Sequence, residues 1–199
     1  MNRKRRNWLI AVAGILLAAA LGWHFSKDVN PNPAHKIGDP IDSLDGVVVY
    51  YNGMVAHCGE RTIGSGGYNI GIRYQCVEFV KRYYYEHFNH KMPDAYGNAK
   101  DFFDRTIPDG ALNPKRGLLQ FTNPGKTKPQ HGDLVIFDGH PGNRFGHVAI
   151  VSNVSATGVT IIQQNPGPFA PSRVTFPLDS SNGNYHIGQG RLLGWLRMK

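Results

Sequence analysis

Cysteine is almost absent from this sequence: Cys58 and Cys76 are the two in 199 residues. Two thiols cannot build a disulfide framework, and no CxxC or Cys/His zinc spacing is present, so a disulfide scaffold and a zinc finger are both excluded. A single bridge between Cys58 and Cys76 stays open to the chain in an oxidising compartment, where it would block any thiol chemistry. Charge is sparse as well, at 18% of residues against 41% hydrophobic, which is a globular balance and not a disordered one. The formal net charge is +8, but Arg3, Lys4, Arg5 and Arg6 supply half of it. No basic run interleaved with aromatics follows residue 30, so nucleic acid is not an expected partner. The mildly basic remainder suits an acidic envelope polymer or anionic lipid. Internal repeats are missing too, and nothing in the sequence asks for a cofactor or a metal. His57-Cys58, the one adjacent pair of soft ligands, has no third ligand at metal spacing.

What is present begins with one long hydrophobic run. Trp8 to Trp23 is apolar throughout and follows the basic cap, so it cannot be an amphipathic surface helix. It reads as a signal peptide or a short membrane anchor. Ala18-Ala19-Ala20 offers an A-x-A cleavage site, whereas Trp8 and Trp23 bracket the run as interfacial aromatics bracket a span. In either case the positive-inside rule places the rest of the chain outside the cytoplasm. Residues 1–25 are therefore assigned to anchor or signal peptide. Residues 26–40, with Pro31, Pro33 and Pro40 and no periodicity, are assigned to a linker, and residues 41–199 to one folded domain, expected to be monomeric.

Within that domain 24 glycines and 13 prolines, counted over the whole chain, favour a loop-rich α+β or β-heavy unit over a helical bundle. Val47 to Tyr51 before Asn52-Gly53 predicts a strand and turn. From Val77 the apolar residues Val77, Val80, Tyr84 and Phe88 recur at helical spacing, so a helix opens at Cys76. Asn98 to Phe103 predicts a second, short helix. Gly110 to Gln130 reads as a surface excursion tied down by Phe121. Strands are predicted over residues 131–137, 146–151, 158–165 and 192–197, the last one built around Trp195.

Cys76 is the first chemical signal. A helix N-terminus presents unpaired N–H groups and the positive end of the dipole, both of which stabilise a thiolate and predict a lowered thiol pKa. The alternative is a small buried cysteine that merely packs the helix end. The second signal is a hairpin. If residues 147–151 and 159–165 pair about Ala156, His147 faces Asn165 and Ala149 faces Gln163, with all four side chains on one face. An amide opposite the imidazole would fix its tautomer and leave the other ring nitrogen as a base. Taken singly, His147 could be a strand histidine bonded to a carbonyl and Asn165 a turn residue before Pro166-Gly167. Together with Cys76 they form a nucleophile, base and orienter.

These residues resemble a known family. Gln75-Cys76 opening a helix, Gly132-Asp133 opening a strand, Gly146-His147-Val148-Ala149 and Gln163-Gln164-Asn165 are similar to the motifs of the CHAP domain, the cysteine- and histidine-dependent amidohydrolases and peptidases of the papain-like and NlpC/P60 fold group. The run Tyr74 to Phe79 is similar to the amidase half of bacterial glutathionylspermidine synthetase/amidases. The resemblance covers residues 45 to 199. It implies an α+β papain-like fold with N-terminal helices on an antiparallel sheet, Cys76 as nucleophile and His147 as general base. It also implies an oxyanion hole from the Cys76 backbone N–H helped by Gln75. The family commonly has Glu-x-Asn where this chain has Gln163-Gln164-Asn165, which makes Asn165 the expected orienter. The implied activity is hydrolysis of peptidoglycan amides in the cell envelope by an anchored or secreted enzyme. The alternatives are an amidase on a glutathionylspermidine-like conjugate and an inactive wall-binding module.

Overall fold

A computed structural model describes residues 2–26 and 29–199 of the chain; the Trp23 side chain and residues 27 and 28 of the expected linker lie outside the described residues. The N-terminal run forms α1, Arg3–Ser26, whose Trp8, Ile10, Ile15 and Leu16 are all exposed. The helix opens with Arg3, Lys4, Arg5 and Arg6, so its apolar part, residues 8–25, spans about 27 Å at 1.5 Å per residue, near the lower limit for a hydrocarbon core. Among the described residues it is the one helix long and apolar enough to cross a membrane, and a signal sequence has the same character.

The fold is α+β. An antiparallel pair, β1 (Pro40–Leu44) and β2 (Val47–Tyr50), is followed by a second pair, β3 (Arg61–Ile63) and β4 (Asn69–Ile72), and then by α2 (Cys76–His87). The strands β5 (Leu112–Asn113), β6 (Leu118–Thr122), β7 (Leu134–Phe137), β8 (His147–Val154), β9 (Gly158–Ile162), β10 (Arg173–Asp179), β11 (His186–Ile187) and β12 (Leu192–Arg197) form one sheet. Its order is β11-β10-β9-β8-β7-β12-β6-β5, antiparallel throughout.

Period-two alternation divides the central strands between two cores. Leu134, Ile136, Val148 and Ile150 face Phe79, Val80, Tyr83 and Tyr84 of α2. Val135, Phe137, Ala149 and Val151 face the other way, toward Phe121, Ile161 and Trp195. Because β7 is buried on both faces, it reads as the continuous apolar run Leu134-Val135-Ile136-Phe137.

Residues 110–130 depart from expectation. They are not a surface excursion: β6 pairs with β12 inside the main sheet, Phe121 opposite Trp195. The polar composition misled because the buried amide of Gln120 meets its needs internally, donating to the Asp104 carbonyl (2.8 Å) and accepting from Asn113 (3.0 Å). The strands β3, β4 and β10 were also not anticipated, since β3 is three residues long, Gly71 interrupts β4 and Pro177 interrupts β10. Residues before β1 are tied to the domain. Tyr51 donates its hydroxyl to Asn30 (2.8 Å), Asn32 donates to the Pro168 carbonyl (2.9 Å), and the Gly38 N–H bonds the Tyr51 carbonyl (2.9 Å).

One close approach sets where α2 lies. Gly71 has φ +146°, and a Cβ there would stand 2.9 Å from the Glu78 Cα. A side chain would push β4 away from the first turn of the helix. We expect Gly71→Ala to destabilise the protein by about 1–3 kcal/mol through overpacking and to reduce any activity that needs Cys76 in place. Urea unfolding checks the first effect, and an unchanged midpoint would contradict this account of the contact.

Candidate active site

The start of α2 is set by three successive backbone conformations. Tyr74 is left-handed (φ 66°), Gln75 is extended (φ −77°, ψ 158°), and Cys76 is the first helical residue. The Gln75 carbonyl accepts the first helical bond, from the Phe79 N–H (3.2 Å), and a second from the Gln164 side chain (3.0 Å). Gln164 is fully buried. Its Nε2 also donates to Glu78 (2.9 Å), while its Oε1 accepts the Tyr50 N–H (2.8 Å). Glu78 in turn pairs with Arg82 (2.7 Å), which donates to the Val48 carbonyl (2.8 Å). One buried network thus joins β2, the mouth of α2 and the end of the β8–β9 hairpin. Neither Gln164 nor this network was singled out in the sequence. The available signal was alternation: between two site-facing residues, position 164 must point into the protein.

The hairpin has the expected register where it is regular. Ile150 faces Ile162 and Val151 faces Ile161, with a bulge between Val151 and Asn153. The ladder stops at Ile162, however, and Asn165 turns left-handed (φ 59°). The expected contact between His147 and Asn165 is consequently not made. The imidazole Nε2 instead meets Gln163 Oε1 at 2.9 Å, the diagonal neighbour on the same face. Gln163 donates its own NH2 to the Pro171 carbonyl (3.2 Å), which identifies the atom toward His147 as the carbonyl oxygen. An amide oxygen only accepts, so Nε2 carries the proton and Nδ1 keeps its lone pair.

Asn165 serves the other side of the site. Its NH2 donates to the Val55 carbonyl (3.0 Å) and to Gln75 Oε1 (2.8 Å), while its own oxygen is buried without a partner among the described residues. Gln75 Nε2 donates to the His57 carbonyl (2.5 Å), to the Val55 carbonyl (3.3 Å) and, at 3.9 Å, to Cys58 Sγ. The Gln75 amide is therefore engaged with the segment 55–58 and is not a free donor for an oxyanion. Cys58 and Cys76 are both free thiols, not a bridge.

Cys76 is half-buried and packs with the core that holds α2. The backbone N–H groups of Val148 (the residue after His147), of Val77 and of Cys76 itself are near enough to its sulfur to favour the thiolate. His147 belongs by alternation to the opposite face of β8, with its ring 6.0 Å from that of Phe137. The mouth of α2 comes up to the start of β8 at Val148, one residue past His147. In this conformation thiol and imidazole do not hydrogen-bond each other, and the ring is held by Gln163.

The electrostatics correct the expectation of a lowered thiol pKa. Burial pushes the Cys76 thiol up, and the three N–H groups counter this without reversing it. His147 moves the other way, down to about 4, because burial disfavours the imidazolium and the charge of Arg191 adds to this, while Gln163 opposes. At neutral pH the resting pair is thus a neutral thiol and a neutral imidazole. A cleft of about 450 Å³ opens beside the imidazole, lined by Val55, Phe137, His140, His147, Gln163, Asn165 and Arg191 among others. Among the described residues no three His, Cys, Asp or Glu side chains converge as metal ligands.

A family model of the CHAP domain matches residues 66–165, half of the chain, and contains Gln75, Cys76, His147, Gln163 and Asn165. The chain belongs to the CHAP domain family. Two curated relatives of Crithidia fasciculata are similar to it. Trypanothione synthetase is 30% identical over 107 residues, covering 54% of this chain and 16% of the relative. Glutathionylspermidine synthase is 30% identical over 146 residues, covering 65% of this chain and 19% of the relative. The chain thus matches less than a fifth of either relative's length. Among solved structures, one described as the crystal structure of Ly7917 with the hydrolyzing product of MDP is 27% identical. It covers 37% of this chain and 29% of that one, with a TM-score of 0.28. Membership of the CHAP family implies amidohydrolase or peptidase chemistry.

A neutral orienter explains why nothing charged offsets the burial of His147. A carboxylate in its place would favour the imidazolium, so Gln163→Glu should raise the His147 pKa by a unit or more from its value of about 4. Titration of the ring by NMR reads this without any substrate. A wild-type midpoint near 6.5 would contradict the burial of the ring, and no upward movement in the variant would contradict the assignment of Gln163 as its partner.

Proposed function

We propose that this chain is a cysteine-dependent amidohydrolase that cuts amide bonds of peptidoglycan through an acyl-enzyme. Residues 41–199 are its catalytic unit, residues 26–40 a linker that docks on that unit through Asn30, Asn32 and Gly38, and residues 1–25 a membrane anchor. The observation that carries the reading is the His147–Gln163 bond, which keeps the proton on Nε2 and leaves Nδ1 as a base, on a strand whose next peptide N–H is near enough to the Cys76 sulfur to favour its thiolate. Attack then proceeds from the neutral pair. Nδ1 takes the thiol proton as the sulfur adds to the carbonyl, so no preformed thiolate is required. The oxyanion is met by the Cys76 backbone N–H at the positive end of α2. Imidazolium returns the proton to the leaving amine as the C–N bond breaks. Water, deprotonated by the same nitrogen, releases the acid from the thioester and restores the thiol.

The role of each candidate follows from its bonds. Gln163 orients the base, whereas Asn165 and Gln75 are positioning residues that brace the 55–58 wall of the cleft. The apolar run of α1 and the basic residues of its first turn support a domain held outside the cytoplasm, where peptidoglycan is. A second reading is favoured by the two curated relatives: hydrolysis of a small glutathionylspermidine-like conjugate.

Incubating the full-length protein with purified muropeptides and weighing the products decides between them. We expect a product gaining one water at an amide. His147→Ala should lose at least about 10²-fold in rate, and Cys76→Ala should lose all detectable cleavage. Cleavage of glutathionylspermidine with muropeptides untouched would replace the substrate, and a Cys76→Ala protein that still cleaves would refute the mechanism. Fractionation with sequencing of the mature N-terminus should find the chain in the membrane with residues 1–25 intact. A soluble cytoplasmic form would sink the envelope assignment.

A further inference from the structure

The cleft beside His147 has a one-signed electrostatic character. Its cation is Arg191, His140 and His147 add two imidazoles, and no Asp or Glu lines it. The backbone of Arg191 is fixed on both sides, with its carbonyl accepting the Asp138 N–H (2.8 Å) and its N–H donating to Gln189 Oε1 (2.6 Å). Its side chain is exposed. The arginines Arg82, Arg105, Arg173 and Arg197 each hold a carboxylate at 2.7–2.9 Å, whereas Arg61, Arg116 and Arg144 are engaged with an amide, backbone carbonyls and an aromatic ring. Arg191 holds no carboxylate among the described residues, and nearby Asp138 is taken by Arg105. The guanidinium is close enough to His147 for its charge to disfavour the imidazolium.

We propose that Arg191 is the anchor for a free carboxylate on the substrate, so that the cleft selects acidic peptides carrying that carboxylate near the scissile amide. This rests on the amidohydrolase reading and narrows its substrate class. A planar guanidinium with unused donors is suited to grip a carboxylate with two parallel hydrogen bonds. The neutral Gln163 fits the same scheme. An acid at that position would compete with the substrate for Arg191 and repel its carboxylate, whereas an amide orients the imidazole and leaves the cleft free of negative charge. A bound carboxylate would also cancel the charge that opposes the imidazolium formed during attack, coupling recognition to catalysis.

Binding separates this proposal from the substrate question. The full-length Cys76→Ala protein is titrated by calorimetry with N-acetylmuramoyl-L-alanyl-D-glutamate and with the same compound amidated at both glutamate carboxyls. Glutathione and its diethyl ester serve as a second matched pair. At least one acid should bind about tenfold or more tighter than its uncharged partner, as a charge-assisted contact requires. Arg191→Gln should abolish the difference, and Arg191→Lys should keep part of it. On any substrate the wild type cleaves, Arg191→Gln should raise KM more than it lowers kcat. Equal binding of acid and neutral forms in both pairs, no binding of any probe, or a preference that survives Arg191→Gln would overturn the proposal. A clear acid preference in a protein that cleaves no muropeptide would uphold Arg191 while removing peptidoglycan as the substrate.

Discussion

The fully buried amide of Gln164 is the junction on which the site depends. Its oxygen takes a backbone N–H of β2, and its nitrogen gives to the carbonyl that caps the first turn of α2 and to Glu78. A buried amide with unmet bonds is costly, so this geometry is strongly specified: any shift of helix, strand or hairpin end would leave a polar atom without a partner. Gln163 and Asn165 inherit their positions from it. Being one residue to either side, they project to the opposite face, one onto the imidazole and the other onto Gln75 and Val55. Three consecutive polar residues therefore divide three tasks: holding the imidazole, holding the helix start and bracing the cleft wall.

The electrostatic arrangement differs from that of a preformed thiolate–imidazolium pair. The mouth of α2 favours negative charge on sulfur, yet the sulfur lies among apolar side chains, and desolvation outweighs the N–H groups around it. His147 is subject to the same burial with no carboxylate to offset it. Both groups are neutral at rest. A substrate that brings its own negative charge to Arg191 would change that balance at the moment of binding, which links the absence of acids in the cleft to the choice of Gln at position 163.

Several elements were legible from local pattern. The helix beginning at Cys76, the strands 134–137, 147–154 and 192–197 and the pairing of Ile150 with Ile162 all follow from periodicity and turn composition, which are short-range properties. The strand 118–122 was hidden because Gln120 looks solvent-facing until Asn113 and Asp104 are brought to it from a distance. The exchange of roles between Gln163 and Asn165 was hidden for a related reason. Strand alternation puts both on the His147 face, but it cannot say that the ladder ends at Ile162 and that Asn165 turns left-handed to reach Val55.

The sequence by itself determined the α+β class, the apolar N-terminal helix, the helix-borne thiol and the strand-borne imidazole, because each is written in a window of a few residues. Tertiary structure alone decided which amide holds the ring, whether the thiol is acidic, and that an arginine forty-four residues beyond His147 lines the same cleft. Those are matters of burial and of distance between segments far apart in the chain, and neither quantity exists until the sheet has closed around them.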